Sequence, residues 1–471
     1  MSRFSLLILL TASVAVAQPP VVPTGRWPMD EIVLKSGARF EGLILDETPA
    51  GVTFRWVRRP PGRPTVTLTT SFTAAELREK DTKRLSEADR KLLRERLAEL
   101  DAQGEGERRR MEAIELKPVA WLGRADAARR YEGEQFTLVS AAPDEVTRRA
   151  AVRLEQIFTA YARVLPPRHP SARPTAIELA GSKEDYLAVL KQAGVQVLNA
   201  AVYIVADRRI VCGSDLTKLG DELNRAAVHH RQQVATADKT EQDLRELYKG
   251  HKAELERYLG AVKKERDKVW AAERANDAAF DTATRKLFAI LYHEAFHAYV
   301  TAFVHPPMKA DEVRAGNGTG ELPRWLNEGL AQLFEDPVIE AGELRVGHAD
   351  PDRLKRVQDW LAGKARGPDV VGLIPLADLL RAGKEAFVTD HAGERPASDR
   401  SYLTAWAAAH YLTFGRRVLG TKGFDDFLAT VNTGTDPARA FEALVGQDVP
   451  AFEKDWPESL RRLQPDGSVK T

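Results

Sequence analysis

The segment from Leu291 to Val300, LYHEAFHAYV, carries H-E-x-x-H as His293, Glu294 and His297 inside an apolar run. Leu287, Phe288, Ile290, Phe296, Tyr299 and Val300 surround the motif, and Glu294 is the only acidic residue among them. The pattern predicts a buried helix. Two histidines four positions apart project from one helical face, one turn apart, and can close on a single metal ion. Glu294, between them, is placed to handle a water at that ion rather than the ion itself. Two imidazoles and a carboxylate in an apolar helix need partners, because an unpaired buried polar group costs several kcal/mol. Zinc satisfies them, binding imidazole and keeping a coordination position open. The other reading of the same residues is a pair of core histidines hydrogen-bonded to carbonyls.

A third ligand has to come from elsewhere. PRWLNEGLAQLFE, from Pro323 to Glu335, predicts a second helix opened by proline, with Trp325, Leu326, Leu330 and Leu333 as its apolar stripe. Glu328 sits in that apolar setting and is the candidate ligand. Gly329 follows it, and glycine inside a helix costs about 1 kcal/mol against alanine, which points to close approach of a neighbour. For Asn327 and Glu335 the reading goes no further than holding a histidine's free ring N–H.

H-E-x-x-H followed by W-L-N-E-G-L-A resembles the gluzincin metallopeptidases. The loop from His305 to Glu321, with Pro306, Pro307 and a glycine-rich stretch, makes the chain similar to their peptidase-MA-like branch in bacterial envelope proteins. The resemblance runs from about Phe136 to Leu463 and takes in YLTAWAAAHYL, from Tyr402 to Leu412. It implies an α+β, zincin-like fold, with a small sheet above a metal helix and a helical lower half. It also implies zinc ligands at His293, His297 and Glu328, Glu294 as catalytic base, and a peptide or protein substrate. Tyr402 is either a donor to the oxyanion or a core tyrosine packed beside Trp406, and His410 reads as a structural helix residue. Two functional classes stay open: a zinc metallopeptidase, or a catalytically silent envelope scaffold that keeps the peptidase fold.

The N-terminus suggests a compartment. Met1 to Arg3 is a short basic start, Phe4 to Val14 is largely apolar, and Ala15 to Ala17 fits an A-x-A cleavage site. Residues 1–17 therefore read as a secretory signal peptide, with a secreted or periplasmic envelope location and no transmembrane span after cleavage. Cys212 is the single cysteine, so no internal disulfide forms, and it reads as a packed strand residue. Lysine and arginine total 69 against 68 acidic residues, so the net charge of +1 gives no argument for nucleic acid.

Along the 471 residues, strand patterning over 28–72 resembles the small SH3-like or Sm-like barrels. Residues 73–120 read as a charged helical linker. The peptidase-like domain is expected over 130–465, with a helix from Pro143 to Val164, a strand at Thr175–Leu179 and a hairpin of Val202–Val205 with Arg209–Cys212. Residues 215–279 interrupt it as a coiled-coil-like hairpin, its turn placed at Ala235 to Thr240. That hairpin, or the small barrel, is where an envelope protein partner would bind; the hairpin reads equally as a solvated spacer.

Overall fold

The computed structural model describes residues 27–58, 66–99, 105–169, 174–196, 199–305, 322–335, 337–340, 343–345, 349–364, 372–387, 396–431, 435–465 and 467. The signal-peptide reading of residues 1–17, the glycine-rich loop over 306–321 and the segment 388–395 lie outside them. The architecture is α+β.

Strands β1 (Asp30–Val33), β2 (Arg39–Thr48), β3 (Gly51–Arg58) and β4 (Val66–Thr73) form an antiparallel meander in that order. Alternation buries Ile32, Phe40, Ile44, Val52, Phe54 and Phe72 on one side. The other side, Leu43 and Val57, is covered by Leu93 and Leu97 of helix α1 (Glu87–Glu99). The expected barrel is thus, among the described residues, an open sheet. Instead of a β1–β4 pairing, β1 takes isolated bridges Glu31–Lys83 and, just past its end, Leu34–Leu77. The sheet is seated on the rest of the molecule through cations on rings. Arg163 lies 3.5 Å from the Phe40 ring centroid and 4.9 Å from that of Trp56, and Arg417 lies 4.7 Å from that of Phe72. Burial, with Arg417 nearby, pulls Arg163 down to about 9, so the π faces offset part of a desolvation cost.

The charged connector is only partly a linker. Helix α2 (Glu105–Glu112) is helical as expected, but Lys117–Trp121 is strand β5 and Arg124–Glu132 is β6, an added hairpin on the main sheet. Their mostly exposed, charged residues hide the period-two signal that marks a half-buried strand. The six-stranded sheet continues with β7 (Phe136–Ser140), β8 (Thr175–Ala180), β9 (Ala201–Ile204) and β10 (Arg209–Gly213), in the order β5-β6-β7-β8-β10-β9. Strands β7, β8 and β10 are parallel neighbours, and β9 runs antiparallel to β10 at the edge. Helix α3 (Asp144–Val164) connects β7 to β8, and α4 (Lys183–Gln192) follows β8. Cys212 is fully buried in β10.

The insertion departs most from expectation. Helix α5 runs Leu216–Leu247 and α6 Lys252–Tyr299, so the turn lies at Tyr248–His251, not at 235–240. Gly250, at φ +97°, makes that turn. Polar Ala235–Thr240 stays helical because its neighbours are strong helix formers and Arg266 on α6 pairs with Asp238 and Glu241. Helix α6 does not stop before the motif: its 48 residues, about 72 Å at 1.5 Å per residue, include His293, Glu294 and His297. The arm and the motif helix are one rod. With the following π-helical turn Val300–Val304, it contains a window long and apolar enough to cross a membrane, but that window is 61% buried inside the fold, as in a core helix.

The remainder is mainly helical: α7 (Arg324–Gln332), a small hairpin of β11 (Val338–Glu340) and β12 (Glu343–Arg345), then α8 (Pro351–Leu361), α9 (Leu376–Arg381), α10 (Pro396–His410), α11 (Lys422–Val431), α12 (Pro437–Val445) and α13 (Val449–Arg462). One core joins α3, α6, α7 and these helices, with Trp325, Trp406, Phe334 and Phe441 fully buried.

Candidate metal centre

The motif helix is held from below by two hydroxyls. Tyr161 of α3 donates to the Tyr292 carbonyl at 2.6 Å, and Tyr299 donates to the Leu165 carbonyl at 2.7 Å. Above it packs the β9–β10 hairpin. Phe296 stacks on Phe334, which ties α6 to the end of α7. These contacts set the rotation of α6, and so where its histidines point.

His293, His297 and Glu328 come together as the sequence suggests, with one candidate ligand atom from each lying within 4.8 Å of the others. The two Nε2 atoms are 3.0 Å apart. Glu328 Oε2 is 3.2 Å from His293 Nε2, and Oε1 is 3.6 Å from His297 Nε2. Glu328 is 1% exposed, which for a carboxylate demands compensation. Gly329 explains how α7 reaches this depth: a Cβ there would lie 2.3 Å from the Ala405 carbonyl oxygen of α10.

Glu335 accepts from His293 Nδ1 at 2.6 Å, and its other oxygen pairs with Arg353 of α8. With Nδ1–H donating to a carboxylate, the Nε2 lone pair of neutral His293 faces Glu328 and His297, as a metal ligand requires. Glu294 points elsewhere. Its Oε2 accepts from the backbone N–H of Tyr203, on edge strand β9, at 2.8 Å.

Charge is unevenly shared within the cluster. Burial disfavours a charged His293, yet Glu328 and Glu335 outweigh it and hold the ring well above its ordinary value. Burial pulls His297 down. Glu328 and Glu335 drop to about 2: burial pushes each up, but His297, His293 and Arg324 prevail at Glu328, and Arg353 with His293 at Glu335. Glu328 Oε2, though within ion-pair distance of His293, accepts no hydrogen bond among the described residues, and His297 Nδ1 makes none among them either. Two nitrogens and a carboxylate crowded together, with a proton drawn onto one ring, form a donor set that a divalent cation fits.

Tyr402 lies on α10, behind α7. Its hydroxyl donates to the Phe387 carbonyl at 2.8 Å, and its own carbonyl accepts from Gln332 at 3.1 Å. His410 is buried between Trp406 and Phe414, the packed position expected of it. Three participants escaped the sequence reading. Arg353 and the Tyr203 amide are remote in sequence and carry no local signal. Arg324 does: it stands four residues before Glu328, and its Nη2 lies 2.7 Å from Glu328 Oε1.

Residues 312–433 match a family described as a protein of unknown function, DUF1570. The matched stretch is less than half of the chain; it begins after His297 and contains Glu328, Glu335, Arg353 and Tyr402. Neither a curated protein nor a solved structure matches the chain.

Proposed function

We propose that the chain is a zinc-dependent metallopeptidase of gluzincin type, hydrolysing peptide bonds in peptide or protein substrates. The observation that carries this reading is the convergence of His293, His297 and Glu328, with Glu335 fixing the His293 ring from outside. An antiparallel edge strand over the motif helix, and a ligand carboxylate from a second helix, support a zincin-like fold.

In this reading His293, His297 and Glu328 hold the ion. Zinc, when bound, supplies a Lewis acid that polarises the carbonyl and acidifies water. Glu294 takes the proton from the attacking water and delivers it to the leaving amine. The Tyr203 amide keeps that carboxylate turned toward β9. An extended substrate backbone would add to the outer edge of β9, where the Tyr203 N–H now meets Glu294, and so bring the scissile bond beside that carboxylate. A scaffold has no chemical need for Glu294, which favours the enzyme over a catalytically silent envelope protein. In the same reading residues 1–17 act as a secretory signal, which would send the protein to the secreted or periplasmic envelope fraction, with envelope proteins as its partners.

Glu294→Gln tests the reading. The variant should keep its zinc and lose hydrolysis of denatured casein by about 10²–10⁴-fold, the scale of a general base. Parent-like cleavage by the variant would sink the assigned mechanism.

A further inference from the structure

We propose that Arg324 is the group that stabilises the developing oxyanion of the substrate, in the place first considered for Tyr402; the inference rests on the metallopeptidase reading. Peptide hydrolysis by this route forms a bond from the water oxygen to the carbonyl carbon, and the carbonyl π pair moves onto oxygen. When the C–N bond breaks, that pair returns and Glu294 hands its proton to the amine. Between the two steps the oxygen carries a full negative charge, and a positioned donor beside it is commonly worth about 10²–10³ in rate.

The hydroxyl of Tyr402 donates to the Phe387 carbonyl at 2.8 Å rather than to the metal-binding cluster. Arg324 shares the Glu328 carboxylate with the metal-binding cluster, at 2.7 Å. Among the described residues Glu328 is its one ion-pair partner, while a guanidinium carries five donors. Among the described residues its Nε is buried without a hydrogen-bond partner, while 37% of the side chain as a whole is exposed. A cation anchored at one edge on a ligand carboxylate, with part of its guanidinium side chain open to solvent, can take a substrate oxygen on its exposed part. Arg324 also stands in the first turn of α7, where the helix dipole adds to its positive charge.

The test uses full-length zinc-loaded protein, freed of excess metal, with inorganic phosphate as the tetrahedral oxyanion probe. Calorimetry should show phosphate binding to the parent, at least tenfold weaker in Arg324→Gln and partly restored in Arg324→Lys, with zinc content equal in all three. Casein turnover should follow in kcat, by about 10²-fold or more for Arg324→Gln, with KM little changed, while Tyr402→Phe stays near the parent. Equal phosphate affinity and kcat in parent and Arg324→Gln, or no phosphate binding to the zinc-loaded parent, would overturn the proposal and leave the peptidase reading standing. Loss of zinc from Arg324→Gln would also overturn it, making Arg324 a support for Glu328. A parent that takes up no zinc would remove the peptidase reading itself.

Discussion

Glu335 illustrates how the site is held one residue at a time. It touches His293 on one side and Arg353 on the other, and its charge is stabilised by both. Removing it frees the His293 ring to change tautomer and rotate. Glu335→Ala should therefore lower zinc affinity by about 10–100-fold, measured by competition with a chromogenic chelator; unchanged affinity would mean that the ring is oriented by packing alone. At this scale the sequence was legible where residues are local. His293 and His297 share one helical face with Glu294 between them, and Glu328 with Gly329 declared a carboxylate beside a close helix contact. It was silent on Arg353 and the Tyr203 amide, because nothing in a local pattern records which distant element will arrive. Tyr402 shows the other limit: a motif names a tyrosine but not the carbonyl that accepts its hydrogen bond.

Among the elements, α7 against α10 is the most tightly constrained. A methyl group at position 329 meets the Ala405 carbonyl and the Ala409 side chain, so neither backbone can yield cheaply. Gly329→Ala should cost about 1–3 kcal/mol of stability by overpacking, visible in denaturant unfolding; a neutral result would contradict the helix contact. The arm is clamped at its base by Arg149 and Arg153 of α3, which pair with Asp277 and Asp281 of α6 and with Glu107 of α2. Burial pushes Glu107 up, but Arg153 and Arg149 hold its carboxyl below the ordinary value of 4.5. A lowered carboxyl contributes stability that is present above its unfolded pKa and lost as pH falls through the folded one. Hydrogen exchange at the α5–α6 base should therefore accelerate below about pH 4.5, and less so in Glu107→Gln, whose clamp is already weakened. A base equally protected at pH 7 and at pH 3 would count against the clamp. The hairpin itself was readable from its heptad-like spacing, whereas its turn was not: Ala235–Thr240 has turn-like polarity but lacks the glycine that Tyr248–His251 supplies.

Across the molecule, the six-stranded sheet, α3 and the C-terminal helices enclose the motif end of α6, and the arm leaves the same helix at its other end. The α+β class came from the resemblance, whereas helix α3, strand β8, the β9–β10 hairpin and the helical C-terminal part were legible in period-two and 3.6-residue patterning. The β5–β6 hairpin and the open N-terminal sheet were not, since exposed charged strands and strand closure are settled by tertiary contacts. Because the clamp lies between the arm and the metal centre, joining Gln232 to Ala271 through a short glycine linker should leave zinc content and cooperative unfolding intact. Zinc loss in that protein would mean that the distal arm shapes the site. The most direct measurement is the zinc content of purified protein from Gln18 onward, beside Glu328→Ala. Close to one zinc per chain is expected in the parent, with marked loss in the variant. A parent that stays empty when zinc is offered, or a variant that holds zinc as well as the parent, would contradict the proposed metal centre.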